Sequence, residues 1–356
     1  MTMTTEVQQG FDERFVGVIN SAALALMVSI GHRTGLFDVM EGAQPMTSVE
    51  LAEASGLDER YVREWLSAMA TGRVVELDVP SASFWLPAER AQWLTRSAGA
   101  DNLARIAQYI SVLGAVEDDI VRCFHEGGGV PYERFARFHE VMMEESGAGV
   151  RDSLEEHVLP IVPGLAGRLE QGIDAVDLGC GRGLTLIRLA ELYPASTFLG
   201  LDLSEAAVGY ARSVVAEKGL TNVSFGRQDL RSWDVDAPLQ VFDLVTTFDA
   251  VHDQPRPQAL LDGIHRSLQP GGVYLMQDIA GSTHVHENLE HPLGTFLYTI
   301  SCLHCMTVSL AQGGDGLGAM WGEQAARAML HNAGFRDVAV RQLDHDPTNT
   351  WYIARP

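Results

Sequence analysis

The sequence predicts an α/β protein, in which a doubly wound, mostly parallel sheet stands behind a helical N-terminal domain. Three observations predict it. From Ile173 onward, short apolar runs alternate with helical segments, which calls for a parallel sheet covered by helices on both faces. The first of these runs leads into a glycine-rich turn, and acids stand at or just past the ends of the first three. The first hundred residues instead place apolar side chains at helical spacing and close on one short hairpin pattern.

Bulk properties narrow the function classes. A chain of 356 residues suggests two or three domains, and 46% hydrophobic with 20% charged residues describes a well-packed globular protein. The net charge of −22 repels phosphate backbones, so neither nucleic acid nor an anionic membrane is expected as a partner. Four cysteines, Cys123, Cys180, Cys302 and Cys305, are too few for a disulfide framework. The N-terminus lacks the layout of a secretory signal, and a cytoplasmic location is expected. Phe15 to His32 contains no Asp, Glu, Lys or Arg; it is slightly short for a membrane span of about 20 residues and reads as a buried helix.

The N-terminal elements follow in order. Residues 11–40 read as one helix, apolar nearly all round through Phe15, Val16, Ile19, Leu24, Met27 and Ile30. Such a helix needs cover on more than one face, which a second subunit would supply. Thr47 and Glu50 form a capping box for a short helix stopped by Gly56. Asp58 caps a second helix, whose apolar face is Val62, Trp65, Leu66 and Met69. Val74 to Leu77 and Phe84 to Leu86 complete a winged-helix layout as a small hairpin. Its second helix carries Asp58, Glu59 and Glu64 against Arg60 and Arg63, so it is net negative and unsuited to a major groove. A dimerisation or substrate-lid role is expected for this domain. Residues from about 100 read as further helices, broken at Gly127 to Pro131.

In the C-terminal half the strands are expected at Ala175–Leu178, Phe198–Leu201, Val223–Phe225, Leu244–Thr247 and Val273–Met276, with a terminal pair at Val338–Leu343 and Trp351–Ala354. The first runs into Asp177-Leu178-Gly179-Cys180-Gly181-Arg182-Gly183, followed directly by a helix. Glycines there permit a tight turn and let a ligand approach the backbone. A dinucleotide turn would need Gly-x-Gly-x-x-Gly, but counting from Gly179 or Gly181 the sixth position is Leu184 or Leu186, which argues against NAD. A phosphate loop is excluded because no Lys-Ser or Lys-Thr pair follows. Asp202 ends the second strand, where a doubly wound sheet holds the two hydroxyls of a ribose. Asp229 follows the third and could accept a hydrogen bond from an adenine amino group. Any one of these acids alone is ordinarily a solvated loop residue. Three at consecutive strand tips beside a glycine turn point to a nucleoside-bearing ligand.

Together with Leu268-Gln269-Pro270-Gly271-Gly272 ahead of the fifth strand, these motifs resemble class I S-adenosylmethionine-dependent methyltransferases. The likeness covers about residues 159–356 and implies a Rossmann-like, seven-stranded methyltransferase sheet. The N-terminal winged helix resembles the dimerisation domain of small-molecule O-methyltransferases, and the whole arrangement is similar to uncharacterised actinobacterial methyltransferases. The resemblance implies S-adenosylmethionine as cofactor. By it, Asp177, Gly179, Cys180, Gly181 and Gly183 face the methionine part, Asp202 the ribose, and Asp229 with Leu230 the adenine. Leu203 packs on the adenine and Phe248 lines the site. In winged-helix O-methyltransferases a His-Asp-Trp stands at the end of strand four, and its His takes the proton from the substrate hydroxyl. Here His252 and Asp253 match, whereas Gln254 replaces the Trp. His252 is the candidate base because imidazole titrates near neutrality; the other reading is a structural His in a strand-to-helix turn.

The expected division is residues 1–98 as the winged-helix dimerisation domain, 99–158 as a helical connector and substrate-cavity wall, and 159–356 as the methyltransferase domain. Within the last, an insertion over 281–320 holds His284, His286, His291, His304, Cys302 and Cys305. With no second Cys pair, Cys302 and Cys305 read as helical neighbours in a core and no metal is expected. Gly313 to Gly318 would give this lid-like segment a mobile end. The expected function is methyl transfer to a small, largely apolar molecule, at oxygen, by a homodimer. Two rivals stay open: a non-catalytic S-adenosylmethionine sensor acting through the winged helix, and an aminopropyl-type transferase on the same fold.

Overall fold

The computed structural model describes residues 10–146, 150–151 and 153–356. The chain forms two compact units, Met1–Gly114 and Ala115–Pro356.

In the first unit the apolar stretch is two helices, α1 (Phe11–Thr34) and α2 (Leu36–Met40), and not one. The break is at Gly35, whose φ of 74° lies in the left-handed region and whose N–H closes α1 on His32. The expectation that α1 is buried is also corrected. Phe11, Phe15, Val16, Val18 and Ile19 are each more than half exposed, and only Ser29, Gly31 and His32 of this helix are buried. Its length and composition would suffice to cross a membrane. Two capped helices follow, α3 (Ser48–Ser55) and α4 (Glu59–Thr71), with Thr47–Glu50 as a reciprocal capping box and Asp58 accepting from the N–H groups of Arg60 and Tyr61. Val62, Trp65, Leu66 and Met69 of α4 close this unit's core against Phe37, Met40 and Leu51. The hairpin pairs β1 (Glu76–Asp78) with β2 (Ser83–Trp85).

The second unit is built on a seven-stranded sheet of β3 (Asp174–Leu178), β4 (Thr197–Asp202), β5 (Val223–Arg227), β6 (Phe242–Phe248), β7 (Leu268–Ile279), β8 (Asp337–Leu343) and β9 (Asp346–Arg355). Their spatial order is β5-β4-β3-β6-β7-β9-β8. β3 to β7 pair in parallel; β9 runs antiparallel to both β7 and β8. Apolar clusters line both faces, one including Leu186, Phe198, Phe225 and Trp351, the other Val245, Leu260, Tyr274 and Phe335. The connection order reverses between β3 and β6, and a doubly wound sheet opens its ligand crevice at the carboxyl ends of the strands at that switch. The glycine turn after β3 and the Phe248–Gln254 segment after β6 lie on this edge.

Candidate active site

The glycine turn is hemmed in by neighbours at Gly179 and Gly183 and open at Gly181. Gly183 has a φ of +69°, and a Cβ there would come within 2.2 Å of the Phe225 ring. Gly181, at φ +53°, would project its Cβ into open space, so its outer face is free for a ligand. Asp202 at the tip of β4 accepts from Gly181 N–H through Oδ2 and from Ser204 N–H through Oδ1, each at 2.8 Å. It therefore shapes the turn while staying partly exposed. Leu203 beside it is 39% exposed, and Asp229 beyond β5 is exposed, its Oδ1 accepting from Arg231 N–H. The side chain of Leu230 is buried in the core with Trp233, so only its backbone remains for a ligand. Asp177 is buried and accepts one hydrogen bond, from Thr246 Oγ1 at 2.8 Å. Burial pushes its carboxyl up to about 7, against the pull of that bond. Cys180 packs against the core, where burial raises its thiol pKa. An open glycine crown, a partly exposed acid, an exposed acid and an exposed leucine on one edge fit an adenosine-bearing ligand.

The second half of the site gathers around His252, which is buried. Its Nδ1 stands 2.7 Å from Asp278 Oδ1 and its Nε2 3.4 Å from Asp253 Oδ1. Asp278 Oδ1 also accepts from Trp321 Nε1 at 2.9 Å and from Ile279 N–H at 2.9 Å. Tyr132 donates its hydroxyl to Asp253 Oδ2 at 2.9 Å. The sulfur of Cys305, His252 and a carboxylate oxygen of Asp253 lie within 4.8 Å of one another. Burial opposes charge on His252, but Asp278, Cys305 and Asp253 outweigh it and hold the imidazole pKa well above its usual value. Asp249, at a φ of 49°, accepts from Gln277 Nε2; burial first and Asp278 second push it up to about 8. Behind Asp253, His304 is fully buried and stacks on Phe138 at 3.4 Å between ring centroids, with Phe135 and Tyr132 edge-on.

The sequence-predicted residues thus fall into two groups. Asp177, the glycines, Asp202, Leu203 and Asp229 share the glycine-turn edge. His252 and Asp253 come together one strand away. Phe248 ends β6, partly buried, its ring 6.0 Å from that of Trp351. Sequence reasoning missed Asp278, Trp321 and Tyr132, and did not bring Cys305 to His252. Asp278 had a signal: it is one more acid near the end of an apolar strand, β7. The reading of Cys302 and Cys305 as helical neighbours in a core holds for Cys305, buried beside His252, and is corrected for Cys302, which is partly exposed. His284 and His286 stack with ring centroids 5.7 Å apart, and His286 faces Glu287 at the surface. The segment expected to be a mobile end is fastened. Asp315 N–H donates to Pro255 O, and Ser309 Oγ donates to Gln254 O and accepts from Gly316 N–H.

Known proteins share this fold. Residues 169–343 match the family model of a methyltransferase domain, and residues 22–96 match that of the Rv2258c-like winged HTH domain. Residues 169–343 are therefore a methyltransferase domain by family. It is 30% identical over 155 residues to trans-aconitate 2-methyltransferase of Acidovorax sp., covering 44% of this chain and 54% of that one. It is 29% identical to fatty-acid O-methyltransferase of Mycolicibacterium smegmatis over 36% of this chain and 45% of the other. The chain therefore spans about half the length of these curated relatives. Among solved structures, human N-acetylserotonin methyltransferase with S-adenosylmethionine superposes with a TM-score of 0.67 at 18% identity, covering 99% of both chains. A putative O-methyltransferase from Nostoc punctiforme gives 0.72 at 15% identity, covering 98% of this chain and 99% of that one. At those identities the likeness is one of fold.

Proposed function

We propose that this methyltransferase uses S-adenosylmethionine to methylate a small, largely apolar molecule at oxygen, with His252 as the proton acceptor. The observation that carries the reading is the buried His252–Asp278 pair, one strand from the glycine turn. Bound in that turn, S-adenosylmethionine supplies a methyl group already made electrophilic by its sulfonium. Asp202 and Asp229 hold the ribose and adenine ends, and Asp177 with the glycine turn holds the methionine end. Asp278, fixed by Trp321, orients the imidazole through Nδ1, and Nε2 accepts the substrate proton in the neutral form of the ring, whose share rises with pH because the surrounding acids favour the charged form. Tyr132, Phe135 and Phe138 form the aromatic side of this end and favour an apolar acceptor. Alignment of the two reactants supplies up to roughly 7–11 kcal/mol, and a base about 10²–10⁴-fold more. Positioning is the larger contribution.

The test is turnover on a panel of small phenols, alcohols and carboxylic acids, followed by release of the demethylated cofactor. His252→Ala should lower turnover by about 10²–10⁴-fold and leave cofactor affinity intact; undiminished turnover would make His252 structural and return nitrogen, sulfur and carbon acceptors to contention. The exposed apolar α1 supports assembly as a homodimer that covers it. In α4 both arginines pair with glutamates one turn away, Arg60 with Glu64 and Arg63 with Glu59. That leaves little free positive charge for DNA and argues against the sensor reading.

A further inference from the structure

We propose that His252 Nε2, Asp253 Oδ1 and Cys305 Sγ form a site for a divalent cation of the zinc type, and that filling it withdraws His252 from proton transfer. The second clause rests on the base reading above; the first stands on geometry alone. Nitrogen, oxygen and sulfur donors are the set zinc prefers, and three protein ligands leave a fourth position for water or another small donor. Zinc–nitrogen and zinc–oxygen bonds of about 2.0–2.2 Å at a tetrahedral angle separate their donor atoms by roughly 3.4 Å. His252 Nε2 and Asp253 Oδ1 stand 3.4 Å apart, with the Cys305 donor in the same cluster.

The surroundings are also those of a metal site. A ligating imidazole ordinarily donates its other ring N–H to a carboxylate, which fixes the ring and strengthens the ligand. His252 does this with Asp278 at 2.7 Å, and Trp321 anchors Asp278 in turn. Asp253 is oriented through its other oxygen by Tyr132. Three carboxylates, Asp249, Asp253 and Asp278, surround one imidazole, and each retains a buried oxygen with no hydrogen-bond partner among the described residues: Oδ1, Oδ1 and Oδ2 respectively. A buried acceptor left unmatched is costly, and a cation at Asp253 Oδ1 would satisfy one directly and lower the repulsion among all three. On binding, the Cys305 thiol and the protonated His252 ring each give a proton to solvent, the latter from Nε2, and the thiolate and the neutral imidazole become the ligands. Nε2, once ligated, has no lone pair left for a substrate proton.

Cobalt(II) is the probe, because a thiolate ligand produces an intense near-ultraviolet charge-transfer band that needs no substrate. The full-length protein, stripped with chelator, should show this band saturating at one equivalent, and one equivalent of zinc should abolish it. Cys123→Ser and Cys302→Ser should retain the band. Cys305→Ser should lose it, and Asp253→Asn should bind at least about 10-fold more weakly, since even indirect partners of a metal cost roughly 10–100-fold. No saturable band in the wild-type protein, or one that survives Cys305→Ser, overturns the site. Zinc should also reduce turnover in the wild type, reversibly with chelator, and leave any residual turnover of Cys305→Ser unchanged. Cobalt binding without zinc inhibition would keep the site and overturn the control of His252. Titration with S-adenosylmethionine reports on the methyltransferase reading separately.

Discussion

Asp177 is the penultimate residue of β3, and its buried carboxyl accepts a hydrogen bond from Thr246 Oγ1. Replacing it with Asn keeps an acceptor for that hydroxyl and removes the charge. Because burial moves the acid from 3.8 to about 7, its ionisation opposes folding by roughly 4 kcal/mol at ~1.4 kcal/mol per pKa unit. Below pH about 4 both folded and unfolded chains hold the proton and nothing is lost. As the pH rises from about 4 to about 7, the unfolded chain ionises while the folded one does not, so stability falls; above about 7 the loss is complete. Asp177→Asn should therefore be more stable than wild type at pH 8 by up to about 4 kcal/mol, with the gain shrinking toward pH 4. Urea denaturation of the ligand-free protein across that range measures it. A variant no more stable at pH 8, or one with the same difference at every pH, would refute the assignment. Cofactor affinity of the same variant should fall, since the proposed function puts Asp177 at the methionine end of the ligand.

Four further outcomes are expected. Trp321→Phe removes the indole N–H that fixes Asp278; it should lower kcat about 3–10-fold at unchanged cofactor affinity, as one hydrogen bond of ~1 kcal/mol permits, and an unchanged kcat would remove Trp321 from the positioning chain. Gly183→Ala sets a Cβ 2.2 Å from Phe225 at a φ of +69°, and should destabilise the protein by about 2–4 kcal/mol in thermal unfolding; a wild-type Tm would contradict the packing of the turn. Ile19→Asp on the exposed face of α1 should shift the protein from dimer to monomer in light scattering, whereas a wild-type chain already monomeric would rule out that role for the helix. Asp202→Ala frees the Gly181 N–H and removes the carboxylate proposed to accept from the ribose, and should weaken cofactor binding by about 100-fold or more, at ~1.5–3 kcal/mol for each charged hydrogen bond.

Much of the fold is legible because its signals are local. The apolar runs of β3 to β7, Ser204 and Gly219 around one helix, and the reciprocal Thr47–Glu50 cap are each written within a few residues. The glycine turn and the acids at Asp177, Asp202 and Asp229 were found for the same reason: strand-end position can be read from the sequence. What escaped was either non-local or stereochemical. Gly35 divides the first helix because it adopts a left-handed conformation, and one glycine in an apolar run does not announce that. The exposure of α1 depends on what covers it, which its own residues do not state. Cys305, Tyr132 and Trp321 reach the His252 cluster from segments 53, 120 and 69 residues away in the numbering, and sequence periodicity carries no information on such meetings. Asp278 was within reach by the strand-tip argument already applied to three other strands.

Calorimetric titration with S-adenosylmethionine and, separately, its demethylated product tests the central claim most directly. One saturable site per chain, lost in Asp202→Ala, is the result expected of a glycine turn and ribose acid that hold this cofactor. No binding of either compound to the folded wild-type protein would contradict it.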